Sequence, residues 1–216
     1  MNTLIPTIRS YYDSDDLEID AHVVDCFEQD GHFAVVLDRT LFHPKGGGQP
    51  PDAGWIDEIE VVGVISRGET ILHLTNRRLS LNRVAIQVDK NIRALHSSLH
   101  TAGHLLGNAG HASGLIPRKA HHWPGEAKVT FELGHDIAHC ESPEAIMSEL
   151  NDRVRTWIAM DLPRRIGQHD ALRTIGFGDL DAYPCGGTHL KSSGLARPFC
   201  IKSVKVKGRE VSVSYS

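Results

Sequence analysis

Short apolar runs dominate the first part of the chain. Residues 21–27, 32–38, 59–65, 70–74 and 83–89 are each bounded by turn residues. That pattern predicts strands, and strands this short at this spacing point to a small barrel or sandwich. Residues 42–56 interrupt them with a run rich in glycine and proline. Such a run cannot be the interior of a strand or helix. It predicts a shaped loop whose bare backbone can approach a ligand or an anion closely. From Asp89 the period changes to that of a helix. Ile92, Leu95, Leu99, Ala102 and Leu106 form one apolar stripe with Asp89 as N-cap, which predicts a helix over 89–106. A strand follows over 126–133. An amphipathic helix over 142–158 starts with Ser142 as cap and Pro143 in the first position, and buries Ile146, Leu150, Val154 and Trp157. A short strand over 162–167 precedes a terminal hairpin of 199–207 and 209–215, turning at Gly208, with its lysines on one face.

Composition narrows the class. A chain of 216 residues makes one large or two small domains, and 40% hydrophobic with 23% charged residues excludes disorder. No apolar run approaches the roughly 20 residues that span a bilayer. The start, from Met1 to Pro6, has no basic region followed by an apolar stretch. Cys26, Cys140, Cys185 and Cys200 are scattered rather than spaced as a disulfide framework. The expectation is a reduced, cytoplasmic protein with no membrane partner. The net charge of −4 argues against a grip on nucleic acid by overall charge. Any RNA contact then rests on local patches: Arg77 with Arg78, Arg153 with Arg155, Arg164 with Arg165, or Lys202, Lys205, Lys207 and Arg209. Each of these also reads as ordinary solvated surface.

The candidate chemistry lies in two segments. His100 and His104 are four apart on the predicted helix, so one face presents both imidazoles to one ion. Cys185 and His189 bracket a glycine-rich turn that lets thiolate and imidazole converge. Three imidazoles and a thiolate are a zinc-type donor set. Four protein ligands would close a tetrahedron, and three would leave a reactive position. Gly103 costs about 1 kcal/mol in a helix interior, which predicts close approach of some group at that turn. His96, one turn earlier, reads as a supporting or surface residue with a further ligand as the alternative, and His121 and His122 as surface histidines with entry into a cleft left open. A zinc peptidase is disfavoured, because Thr101 stands where the helical peptidase motif places its Glu.

With these motifs in hand, HTAGHLL followed about eighty residues later by CGGTHL, and preceded by FHPKGGGQPPDAGWI, resembles the editing domain of alanyl-tRNA synthetases and the freestanding alanyl-tRNA editing proteins. The resemblance covers nearly the whole chain. It implies an α+β protein: a β-rich, barrel-like N-terminal domain over 1–88 carrying the glycine-rich loop, then an α/β editing domain over 89–216 containing zinc. It implies a Zn2+-dependent hydrolase, with no need of ATP, acting on mischarged alanine tRNA to remove serine and often glycine. His100, His104, Cys185 and His189 are then the metal ligands. Gly46, Gly47, Gly48 and Gln49 contribute to the cleft, Gln49 in a catalytic role, and Thr101 bonds the serine hydroxyl. The length leaves no room for the synthetase's activation and anticodon-sensing regions. The chain departs from the family over 118–125 and over 190–198, where a threonine-glycine-glutamate-isoleucine-glycine stretch is usual. Two other readings stay open: a non-catalytic tRNA-binding module with structural zinc, and a hydrolase of another aminoacyl ester.

Overall fold

The computed structural model describes residues 5–134, 142–196 and 198–216. Residues 1–4, Cys140 and Arg197 lie outside them. The fold is mixed α+β, in two compact units: Met1–Gly46 with Pro50–Ala94, and Gly47–Gln49 with Leu95–Ser216.

The first unit holds β1 (Ile8–Arg9), β2 (Glu18–Gln29), β3 (His32–Leu37), β4 (Arg39–Thr40), β5 (Gly54–Ile56), β6 (Ile59–Arg67), β7 (Thr70–Thr75) and β8 (Arg83–Val88). Six of these close a barrel in the order β2-β3-β7-β6-β5-β8. Alternation does the work expected of it: in β8, Val84, Ile86 and Val88 point inward and their neighbours outward. β3 and β7 depart from simple alternation because both of their faces are covered. Val35 and Ile71 join the barrel core, while Ala34, Val36 and Leu72 form a second cluster. The glycine-rich run is not strand-free, as its composition predicts. Its last residues form β5, paired to β6 and β8. Gly54 makes this possible, since a Cβ there would stand 2.1 Å from the Gln87 carbonyl oxygen.

The barrel also encloses a histidine. His73 donates from Nδ1 to the Val35 carbonyl at 3.1 Å, and its Nε2 meets the Thr40 hydroxyl at 2.8 Å. Burial pushes it down to about 4 from 6.5. The folded barrel therefore accepts only the neutral ring, whereas the unfolded chain takes up a proton below pH 6.5. Stability held above that pH should fall as pH drops toward 4, by about 3 kcal/mol. Urea midpoints at pH 7 and pH 4.5 test this against His73→Gln. The variant should show the smaller pH dependence, and equal slopes would remove His73 from the account.

The second unit contains most of α1 (Lys90–Ala112), then β9 (Leu115–His121), β10 (Lys128–Leu133), α2 (Pro143–Ala159), β11 (Arg164–His169), β12 (Leu172–Phe177), β13 (Tyr183–Pro184), β14 (Ile201–Lys207) and β15 (Glu210–Tyr215). The order β14-β15-β10-β9 makes one antiparallel sheet, and β11-β12-β13 a second. Asp89 caps α1 by accepting from the Asn91 and Ile92 amides, and Ser142 caps α2 by accepting from Ala145 N–H. α1 outruns its predicted end by six residues. Gly107 and Gly110 look like stops, but a Cβ at Gly110 would lie 2.3 Å from the Phe131 ring. The glycine lets Phe131 of β10 seat against the helix, and burying such a side chain contributes about 1.5–3 kcal/mol, more than glycine costs. The predicted stripes shift slightly. Leu95 is exposed, and Leu105 and Ala109 join Leu99, Ala102 and Leu106 in the core. On α2 the fourth buried residue is Ile158, with Trp157 only partly covered. A bulge between Ile201 and Ser203 resets the alternation of β14 and leaves Lys202, Lys205 and Lys207 exposed. Among the described residues no helix is long and apolar enough to cross a membrane, and Cys26, Cys185 and Cys200 are free thiols.

Candidate metal centre

α1 presents His100 and His104 one turn apart, and the segment after β13 brings Cys185 and His189 to them. The four ligand atoms all lie within 4.8 Å of one another and could hold a metal ion. Cys185 Sγ stands 3.5 Å from His100 Nε2 and 3.3 Å from His189 Nε2. A tetrahedral zinc site with bonds of about 2.0–2.3 Å spaces its ligand atoms by roughly 3.3–3.6 Å, so the donors fit that ion.

The protonation states fit as well. A histidine ligates through a bare nitrogen, so its other nitrogen must carry the proton. Gln49 arranges this for His100. Its side-chain oxygen lies 2.7 Å from His100 Nδ1 and 3.0 Å from Thr188 N. A backbone N–H can only donate, so the group facing both is the carbonyl, and His100 Nδ1 must donate to it. The Gln49 amide donates to the Thr188 hydroxyl at 2.8 Å, which in turn meets Ser97 Oγ at 2.8 Å. Thr101 stands behind His189: its hydroxyl lies 3.4 Å from His189 Nδ1 and accepts from Leu190 N–H. Burial pushes His104 down to about 4 and His189 well below 6.5, and the Arg173 charge pushes both the same way. Both rings are thus held neutral, as ligands must be. Burial pushes the Cys185 thiol up, against the Gly187 N–H and the Arg173 charge. A bound cation is the natural partner that would hold it as thiolate.

Two arginines shape the Cys185 turn. Arg173 donates to the carbonyls of Cys185 and Gly187 at 2.9 and 3.0 Å, and Arg164 to that of His189 at 2.8 Å. Arg164, read from sequence as surface charge, is therefore part of the frame of the centre. Gly187 is obligatory, since a Cβ would lie 2.2 Å from the His100 ring. The cluster borders a cavity of about 360 Å3 lined by His100, His104, Cys185, His122, Gly47 and Lys119, among others. That volume falls within the range of small-molecule sites.

The comparisons bear directly on this arrangement. The threonyl and alanyl tRNA synthetase second additional domain matches residues 172–212, which include Cys185 and His189. The alanyl-tRNA editing protein AlaX-L of Pyrococcus horikoshii is 30% identical over 214 residues, covering 86% of this chain and 51% of its own. The chain is a homologue of the alanyl-tRNA editing proteins. The alanine–tRNA ligase of Haloquadratum walsbyi is 34% identical over 217 residues, 87% of this chain and 23% of the ligase. The editing protein Aarsd1-B of Xenopus laevis is 30% identical over 178 residues, 74% of this chain and 43% of its own. The chain thus spans about half the length, or less, of the curated relatives it matches.

Set against the sequence reading of this editing-protein homologue, the four ligand candidates come together and the other candidates are redistributed. Gln49 and Thr101, expected in catalytic roles, are both fully buried, with their polar atoms turned to His100, Thr188, His189 and Leu190. Of the three loop glycines, Gly47 lines the cavity and Gly48 packs against Ala120 and His122, while Gly46 groups with the first unit. His96 is buried outside the converging set. The correction with most consequence is His122. Read from sequence as a surface residue with the cleft as the alternative, it is 2% exposed and stacks on His100 with ring centroids 4.3 Å apart. The signal for it was present at Gly103: a Cβ there would lie 2.3 Å from the His122 ring and 2.7 Å from Tyr215 Oη. His121 stays at the rim, near Glu126 and stacked on Trp123.

Proposed function

We propose that the protein is a zinc-dependent deacylase that hydrolyses the ester of mischarged alanine tRNA, removing serine, with glycine as a further candidate. The observation that carries the reading is the His100–His104–Cys185–His189 cluster opening onto a small-molecule-sized cavity. The kinship with editing proteins supplies the substrate class. In this reading 89–216 forms the editing domain and 1–88, with the glycine-rich loop, the β-rich domain.

A bound zinc ion would supply Lewis acidity to the ester and its nucleophile. The rest falls to the chain. Gln49 holds the His100 imidazole in the ligating tautomer, and Thr101 stands behind His189 Nδ1. Arg173 and Arg164 fix the backbone of the Cys185 turn. The apolar and backbone walls around Gly47, Gly103 and Val129 offer a surface against which an aminoacyl group can seat. Lys119, exposed on β9 and lining the same cavity, offers a cation for a phosphate of the tRNA end. The physical need is clear: a synthetase pocket separates small amino acids poorly, and a second site that hydrolyses errors restores accuracy.

The test is deacylation of serine-charged and alanine-charged alanine tRNA by zinc-loaded and chelated protein. Zinc-dependent loss of serine with alanine spared is the expected result. Binding of the charged tRNA without turnover by zinc-replete protein would overturn the deacylase and leave a binding module with structural metal.

A further inference from the structure

The hydrogen bonds of His122 fix more than its position. Tyr215 Oη is 3.0 Å from the Leu99 carbonyl and 2.6 Å from His122 Nδ1. A carbonyl only accepts, so the tyrosine proton points at Leu99. The tyrosine oxygen must then accept, and His122 Nδ1 carries the proton. In the neutral ring this leaves Nε2 as a bare acceptor. Among the described residues no group bonds it, while the ring lines the cavity beside His100 and Cys185. The backbone is held as firmly: His122 N–H donates to Gly48 O at 2.8 Å, and Tyr215 is 3% exposed. A preorganised acceptor facing a largely apolar cavity favours an occupant that brings a donor.

We propose that His122 determines specificity: its Nε2 accepts a hydrogen bond from a donor on the aminoacyl group of the substrate, and Tyr215 is the positioning residue that sets its tautomer. This rests on the aminoacyl-tRNA reading above. The donor is either the side-chain hydroxyl of serine or the α-amino group, and both present the same chemistry to Nε2. Through the first, the pocket would reject alanine because alanine leaves His122 unpaired.

The experiment uses zinc-loaded full chain and non-hydrolysable 3′-amino-3′-deoxyadenosines acylated with serine, glycine or alanine, with binding followed by calorimetry. Zinc stoichiometry and thermal melts are recorded alongside. His122→Phe keeps the ring stack and removes the acceptor. It should weaken the seryl analogue about 10–100-fold with zinc content unchanged. Tyr215→Phe keeps its own ring and frees the tautomer, and should cost a smaller factor, about threefold to tenfold, on the same analogue. A loss confined to the seryl analogue supports the proposal and names the hydroxyl. A loss shared by all three analogues, with zinc and melt intact, supports it and names the amino group. Wild-type affinity for the seryl analogue in both variants would overturn it. Wild-type protein that binds none of the analogues would instead overturn the deacylase reading, and this inference with it.

Discussion

Cys185→Ser should weaken zinc binding at the proposed centre at least about a hundredfold. Structural zinc sites of four ligands gain about 10–16 kcal/mol on binding, so one ligand accounts for roughly 3 kcal/mol. Serine keeps the size of the side chain but offers a hydroxyl that does not ionise in this pH range, and a harder oxygen in place of sulfur. His100 and His189 keep Gln49 and Thr101 beside them, so the loss is in the metal rather than the fold. Competition with a chromophoric chelator reads the affinity, and hydrolysis of the charged tRNA should fall in parallel. Gln49→Leu gives the graded companion. It removes the acceptor that holds the His100 proton on Nδ1 and leaves every ligand in place, so a loss of about 10–100-fold is expected. A Cys185→Ser protein with full zinc and full turnover would remove this cluster as the working centre.

The largest effect on stability is expected at Asp52. Its carboxylate is fully buried and faces Arg93, itself 10% exposed, with both carboxylate oxygens 3.1 Å from Arg93 Nε. Asp52 also accepts from His43 N–H at 2.6 Å, and its own N–H donates back to the His43 carbonyl at 3.0 Å. Arg93 adds a bond to the Leu41 carbonyl at 2.6 Å. Asp52→Ala leaves a buried guanidinium without its counter-charge and opens the base of the glycine-rich loop. A cost of about 3–5 kcal/mol in the chemical denaturation of the full chain is expected. Replacing the pair together, Asp52→Leu with Arg93→Met, should cost much less, because no charge is then stranded. A double variant as unstable as Asp52→Ala would show that the loop bonds, and not the ion pair, carry the effect.

The sequence was most legible where structure is local. The caps at Asp89 and Ser142, the turn at Gly208 and most of the barrel strands depend on residues within a few positions of one another, and all can be read from spacing. Strands β9 and β12 were harder. The first mixes charge, proline and histidine, and the second is too short and glycine-broken to announce itself beside its exposed partner. The candidate metal ligands stood out for a related reason: each half of the set has helical or turn spacing within itself, and only two halves had to meet.

What the sequence by itself determined is therefore the donor set, the change from a β-rich first part to helix and sheet, and the kinship with editing proteins. Only the tertiary structure decided which side chains stand behind those donors and which face the cavity. Gln49 reaches His100 across 51 positions, Tyr215 reaches His122 across 93, and Thr188 meets Gln49 across 139. No periodicity connects residues so far apart. Their partners are chosen by the packing of α1 against β10 and β15, and by the bare backbone at Gly48, Gly103 and Gly187, whose missing Cβ atoms leave room for the rings. A glycine in a helix can be seen in a sequence as a cost; what occupies the space it leaves is known only when the chain has folded around it.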